Sequence, residues 1–256
     1  RPVNTATTAM IAVGTDVAAQ SLDYGATWTA KSIPTGGYLA CAGILSTGTC
    51  IAVGTSGVLA RSTDSGATWA AQTALPETIT HVMYSSTNSS FLAVGASGIV
   101  YISTTGASGT WSTQQIKTPN ITGTVQVSGT NVVLSGTKLG GAANCIAYSS
   151  DSMATWNVVP TPVAVSSFAV SNTNIMISDS ASGVYTSLLT SPGVWTPTKT
   201  AVTTAATPII IASGTDFLMR RSSTSTDLFV TSDNGATWAS AVVDGAIIST
   251  TVYTNS

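Results

Sequence analysis

Ser62-Thr-Asp64-Ser-Gly66-Ala-Thr-Trp69 decides the fold, because near-copies of it stand at Ser21-Leu-Asp23-Tyr-Gly25-Ala-Thr-Trp28 and at Thr231-Ser-Asp233-Asn-Gly235-Ala-Thr-Trp238. A fourth window, Ser149-Ser-Asp151-Ser-Met153-Ala-Thr-Trp156, has Met in the place of Gly. Two more, from Ser103 to Trp111 and from Ser187 to Trp195, keep only turn-forming residues and the Trp. These six windows contain all six Trp of the chain, spaced 41, 42, 45, 39 and 43 residues apart. Self-similarity at about 42 residues marks a repeat architecture, and each window is one box of that repeat.

Outward from each box the pattern is constant. Before it stand two short β-rich runs joined by a Gly-bearing turn, as in Phe91–Gly95, Ala-Ser-Gly98 and Ile99–Ile102. After the Trp comes another run, then a Pro- or Gly-bearing loop, then an apolar run such as Ile79-Thr-His-Val-Met-Tyr84. Four strands in about 42 residues match a propeller blade and leave no room for a crossover helix. The expected fold is therefore all-β, a six-bladed β-propeller of four-stranded antiparallel blades, built as a single domain over residues 1–256. The first repeat lacks its innermost strand and the last overshoots with Ala246–Tyr253, so this C-terminal strand is expected to close the first blade and leave no open edge.

Composition restricts function without naming one. Only 7 % of the 256 residues are charged, while 44 are Thr and 35 are Ser, so solubility rests on hydroxyls. Eight basic against ten acidic residues give no cationic excess to neutralise phosphates, which excludes nucleic acid as an expected partner. No apolar run approaches the roughly 18 residues of a membrane span, so no membrane insertion is expected. The chain begins at Arg1 without Met or a signal-like region, as expected of a piece processed or cropped from a longer one.

The window Ser-x-Asp-x-Gly-x-Thr-Trp resembles the Asp box, also called the BNR repeat, of sialidase-like β-propellers. Physically, the Asp accepts turn N–H groups, the Gly supplies positive φ, and the Trp folds back as an apolar plug. Asp23, Asp64, Asp151 and Asp233 are accordingly read as structural and not as metal ligands. The resemblance implies that the boxes lie far apart, so these carboxylates cannot converge. It also implies a catalytic set to look for: three Arg on a carboxylate, a Tyr–Glu nucleophile and an Asp acid. The inventory does not supply it. Of four Arg, Arg1 is terminal, Arg61 precedes a box, and Arg220 and Arg221 are adjacent. Glu77 is the sole Glu, beside Pro76 in a loop, and nothing in the sequence pairs it with a Tyr. His81, the sole His, lies in a run that reads as an inner strand, so a structural role is expected over a catalytic one. No catalysis and no cofactor are expected.

Cys41, Cys50 and Cys145 lack metal-ligand spacing, so no metal is expected. Cys41 and Cys50 fall on two arms of a hairpin, and a disulfide joins them if the register sets them opposite one another; otherwise both are buried thiols. Eleven charges, Asp16, Lys31, Glu77, Lys117, Lys138, Asp179, Lys199, Arg220, Arg221, Asp227 and Asp244, fall in or beside loops that share one face of a propeller. Two of those loops, Ser135–Asn144 and Arg220–Asp227, are enlarged, and long loops on a rigid scaffold are common binding sites. Arg220, Arg221, Lys138, Lys117, Glu77 and Asp179 are therefore the candidate binding residues. The expectation is a binding or structural module at an extracellular or virion surface, recognising a glycan or a protein such as other virion or surface proteins. Its alternatives are a degenerate glycoside hydrolase and an assembly factor like the photosystem-assembly propellers. Asn88-Ser-Ser90 and Asn120-Ile-Thr122 are glycosylation sequons, meaningful only in a eukaryotic secretory host.

Overall fold

The computed structural model describes residues 9–44, 46–116, 120–137, 144–179, 183–198, 209–220 and 227–242. Strand after strand pairs antiparallel with its sequence neighbour, because each is followed by a turn too short for a crossover. The chain divides into two compact units, Arg1–Ile116 and Lys117–Ser256.

The first unit holds three sheets. One is β1 (Met10–Gly14), β2 (Val17–Ser21) and β3 (Thr29–Lys31); the next is β4 (Tyr38–Ile44), β5 (Thr49–Gly54), β6 (Leu59–Ser62) and β7 (Ala70–Ala71). The third is β8 (Ile79–Ser85), β9 (Ser90–Gly95), β10 (Ile99–Ser103) and β11 (Ser112–Gln115). The second unit repeats this three times. Its sheets are β12 (Asn120–Ser128) with β13 (Asn131–Thr137), β14 (Asn144–Ser149) and β15 (Asn157–Pro160), then β16 (Ser167–Val170) with β17 (Asn174–Ser178), β18 (Val184–Leu188) and β19 (Thr196–Pro197). The last is β20 (Ile209–Ser213), β21 (Asp216–Arg220), β22 (Asp227–Thr231) and β23 (Ala239–Val242). Among the described residues the only helical element is one 3-10 turn at Thr55–Gly57.

Six antiparallel sheets, with no α-helix among the described residues, are what the box period predicts. The first sheet has three strands among the described residues. The expected closing strand, Ala246–Tyr253, lies outside the described residues.

The core runs between successive sheets of each unit. Ile51, Val53 and Leu59 of one sheet meet Ile79, Val82, Phe91 and Tyr101 of the next. In the second unit Val133 and Ile146 meet Phe168, Val170, Ile175 and Ile177, while Met176 and Val184 meet Ile210, Phe217 and Met219. The second strand of a sheet is thus covered on both faces, so β5, β9 and β17 read as unbroken buried runs instead of alternating ones. The box Trp seals the same layers, with Trp69, Trp111, Trp195 and Trp238 each packed against one of these clusters.

Candidate functional site

Each full box is a closed hydrogen-bond circuit. Asp64 Oδ1 accepts from Ser62 Oγ at 2.7 Å and from Thr68 N–H at 2.8 Å, and Oδ2 accepts from Thr68 Oγ1 at 2.6 Å. Ser62 Oγ in turn accepts from Gly66 N–H at 2.8 Å, and Trp69 Nε1 donates to the Gly66 carbonyl at 3.1 Å. Asp23 repeats this with Ser21, Gly25, Thr27 and Trp28. Asp233 repeats the carboxylate part with Thr231, Gly235 and Thr237. Gly25, Gly66 and Gly235 sit at φ of +85°, +85° and +88°, the left-handed region that glycine alone enters without cost. In the fourth box Met153 holds the same place at φ +70°, its N–H donating to Ser149 Oγ at 2.9 Å. In the third, Thr105 substitutes for Asp and its hydroxyl donates to Thr110 Oγ1 at 3.1 Å.

These contacts fix the electrostatics. The Thr hydroxyl first, then the Thr N–H, then the hydroxyl at the head of the box hold the carboxyls of Asp23, Asp151 and Asp233 at about 2 against an ordinary 3.8. Asp64 is lowered for the same reasons. The circuit uses one backbone N–H per carboxylate, fewer than expected; the Ser and Thr of the motif carry the remainder. Their recurrence in every full box was the signal in the sequence for that role.

Three further carboxylates, of Asp16, Asp179 and Glu77, are also engaged in loops. Asp16 Oδ1 accepts from Gly36 N–H at 2.6 Å, and Asp179 Oδ1, on a residue 8 % exposed, accepts from Gly183 N–H at 3.1 Å. Glu77 Oε2 accepts from Ser97 N–H at 2.7 Å. Contrary to the sequence expectation, Glu77 does have a Tyr partner, since Tyr101 donates to Oε1 at 3.2 Å. The two are 24 residues apart and meet because Glu77, two residues before β8, lies beside the β9–β10 turn and β10 of the same sheet. Tyr101 is 1 % exposed, and burial, reinforced by the charge on Glu77, pushes its hydroxyl up to about 12, the opposite of an activated nucleophile.

Arg220 is a correction. It was expected on an exposed loop, but β21 runs through it and its side chain is 2 % exposed, opposite Ile209 and Leu228. Arg61, at the same place before its box as Gln20, reaches the next box: Arg61 Nε donates to the Thr105 carbonyl at 2.9 Å, and Gln20 Nε2 to that of Ser65 at 2.8 Å. Arg221, Lys138 and Lys117 lie outside the described residues, as do Lys199 and Asp244.

Cys41 and Cys50 are free thiols, another correction to the disulfide considered above. The register sets Cys41 opposite Ala52 and Cys50 opposite Gly43, a diagonal too long for a bond. Both border a cavity of about 190 Å³, and burial pushes them up to about 11 and about 12, so they stay protonated. His81 lies in β8 as expected, its pKa lowered by burial. Among the described residues no group of three or more His, Cys, Asp or Glu is placed to hold a metal. The side-chain nitrogen of Asn88 is buried in the β8–β9 turn, so that sequon is not displayed by the folded chain.

This geometry has close counterparts among solved structures. YCF48 from Cyanidioschyzon merolae superposes over 94 % of this chain and 83 % of its own, with a TM-score of 0.67 at 16 % identity. The fold is a β-propeller. A second structure, YCF48 bound to D1 peptide, matches over 91 % of this chain and 78 % of its own, TM-score 0.66 at 13 % identity. BamB from Moraxella catarrhalis matches over 98 % and 89 %, TM-score 0.59 at 11 % identity. At such identities the likeness carries the propeller fold alone, with each four-stranded sheet as one blade. No protein-family model and no curated protein sequence matches the chain.

Proposed function

We propose that this chain is a non-catalytic propeller module of the Asp-box kind that binds a protein partner at an extracellular or virion surface. The observation that carries it is the fate of the acidic groups: box carboxylates are closed into their own turns, and Asp16, Glu77 and Asp179 are spent on loop N–H groups. Glycoside hydrolysis needs two carboxyl groups about 5 to 9.5 Å apart, one of them kept protonated by its surroundings, and all the shifted carboxyls here are shifted the other way. A protein ligand is supported by the structure of YCF48 bound to D1 peptide, a propeller of the same fold. That likeness also favours a second reading, an assembly factor that holds its partner transiently. The surface location rests on the Ser/Thr-rich, charge-poor composition.

The test is chemical cross-linking of the chain in its native setting, followed by mass spectrometry, beside a turnover screen on sialosides and other aryl glycosides. A protein cross-linked in constant ratio and no turnover are expected, and a partner present only during maturation selects the assembly reading. Steady hydrolysis abolished by mutating a carboxylate pair overturns the proposal.

A further inference from the structure

The second sheet departs from the other four-stranded sheets at one cross-strand pair. In each of them the second residue of the second strand stands opposite a residue of the first strand. Elsewhere the pairs are Tyr84–Phe91, Val127–Val132, Val170–Ile175 and Ala212–Phe217. Phe91, Val132, Ile175 and Phe217 are all fully buried, and the rings of Tyr84 and Phe91 lie 5.0 Å apart. The second sheet has Gly43–Cys50 instead.

A Cβ on Gly43 would stand 3.0 Å from Cys50 Sγ, so the thiol leans over the glycine. Together they occupy far less space than Tyr84 and Phe91 do in the next sheet, and the cavity of about 190 Å³ opens at this point. Its wall includes Ile11 of β1, Cys41, Gly43 and Ile44 of β4, Cys50 of β5 and Ser65 of the second box. All belong to the first unit, and Gly43 is exposed, so the space is reached from solvent.

The chemistry of the wall names the class of occupant. Among the described residues no charged side chain lines it. Its polar groups are turned on one another: Cys41 donates to the Ile11 carbonyl at 3.5 Å and Cys50 to that of Gly48 at 3.7 Å, while Gly48 N–H donates to the Ile44 carbonyl at 2.9 Å. The wall therefore favours an apolar ligand, and two soft, polarizable sulfur atoms favour a π-face over an alkane. The volume is below the roughly 300–1,000 Å³ of drug-sized pockets but above the roughly 150 Å³ of an apolar cavity that takes up benzene, so it holds one ring. The repeat itself puts a ring at this place, as Phe91 and as Phe217. We propose that this cavity binds one unsubstituted aromatic ring, seated beside Cys50 and over Gly43. The site stands independently of the protein-partner reading above, although a phenylalanine of a partner is one source of such a ring and a free small molecule the other.

Saturation-transfer NMR on the whole chain tests it, with toluene as the ring, cyclohexane as an alkane of like size and N-acetyl-phenylalanine methylamide as a ring carried on a peptide. Toluene is expected to bind, and more tightly than cyclohexane. Cys50→Phe supplies the ring from within and is expected to abolish toluene binding. Cys50→Leu fills part of the space and is expected to weaken it about tenfold. The Leu variant keeps the test open should Cys50→Phe fail to fold. Displacement of toluene by the methylamide assigns the ring to a partner's phenylalanine, and toluene held against the methylamide assigns it to a free small molecule; both uphold the site. Silence from toluene overturns the proposal, as does cyclohexane binding as tightly as toluene or undiminished toluene affinity in either folded variant.

Discussion

The first and second boxes share Ser-x-Asp-x-Gly-Ala-Thr-Trp and the same hydrogen bonds to within 0.1 Å, yet their surroundings differ. Trp28 is 45 % exposed, with Leu22 and Tyr24 at 63 % and 80 % beside it. Trp69 packs against Ala18, Ile33, Tyr38, Ala52 and Ala60, its box overlaid by Ile11 and gripped by Gln20 from the sheet in front. The turn therefore folds on its own side chains, and burial of the Trp is a separate, tertiary contribution.

The largest expected effect divides those two contributions. Replacing a buried Trp by Ala costs about 3–5 kcal/mol, and a half-buried one less. Trp69→Ala should lose about 3 kcal/mol and Trp28→Ala about 1 kcal/mol, read from urea unfolding midpoints with unchanged slopes. Equal losses would mean that Trp28 is covered as well as Trp69 and would break the comparison.

The glycines sharpen it. An Ala at Gly25 and an Ala at Gly66 both meet φ of +85°, a strain of about 1–2 kcal/mol that Met153 shows the turn can carry. A Cβ on Gly66 would also stand 2.7 Å from Ile11 Cδ1, whereas on Gly25 the nearest atom is Met10 Sδ at an ordinary 3.4 Å. Gly66→Ala is thus expected to lose roughly 1 kcal/mol more than Gly25→Ala in the same unfolding measurement. A smaller loss for Gly66→Ala would show that Ile11 does not lie over the second box.

What the sequence disclosed follows the same division. Box spacing, hairpin signals and strand count are local, and from them came the six sheets, the role of Gly25 and Gly66, and the strand assignment of His81. What it hid depends on contacts between elements. Arg220 read as a loop residue because Ser and Thr follow it, but pairing with Ile209 and Leu228 extends the strand through it. Tyr101 and Glu77 meet only when β8, β9 and β10 pair into one sheet, and a two-residue offset in the β4–β5 register separates Cys41 from Cys50.

The smallest effect tests whether the boxes are locally sufficient. A carboxyl held below its ordinary value favours the fold only while ionised, so its contribution is complete above about pH 4 and is lost as pH falls through the folded value. For Asp23, Asp151 and Asp233 that window runs from 3.8 down to about 2. His81, lowered by burial, also destabilises the fold on acidification, but from its ordinary 6.5 downward, so its limb begins at a higher pH than that of the boxes. The box carboxylates face water, which screens each contribution, and only their sum should appear as a falling melting temperature between pH 4 and pH 2. Replacing all four box Asp by Asn should flatten that limb and leave the His81 limb in place. At neutral pH, Asp23→Asn and Asp64→Asn should lower the melting temperature equally, because each carboxylate bonds only within its own turn. A larger drop for Asp64→Asn would show that the neighbouring sheet strengthens the circuit it covers, and the box would then be a tertiary device and not a local one.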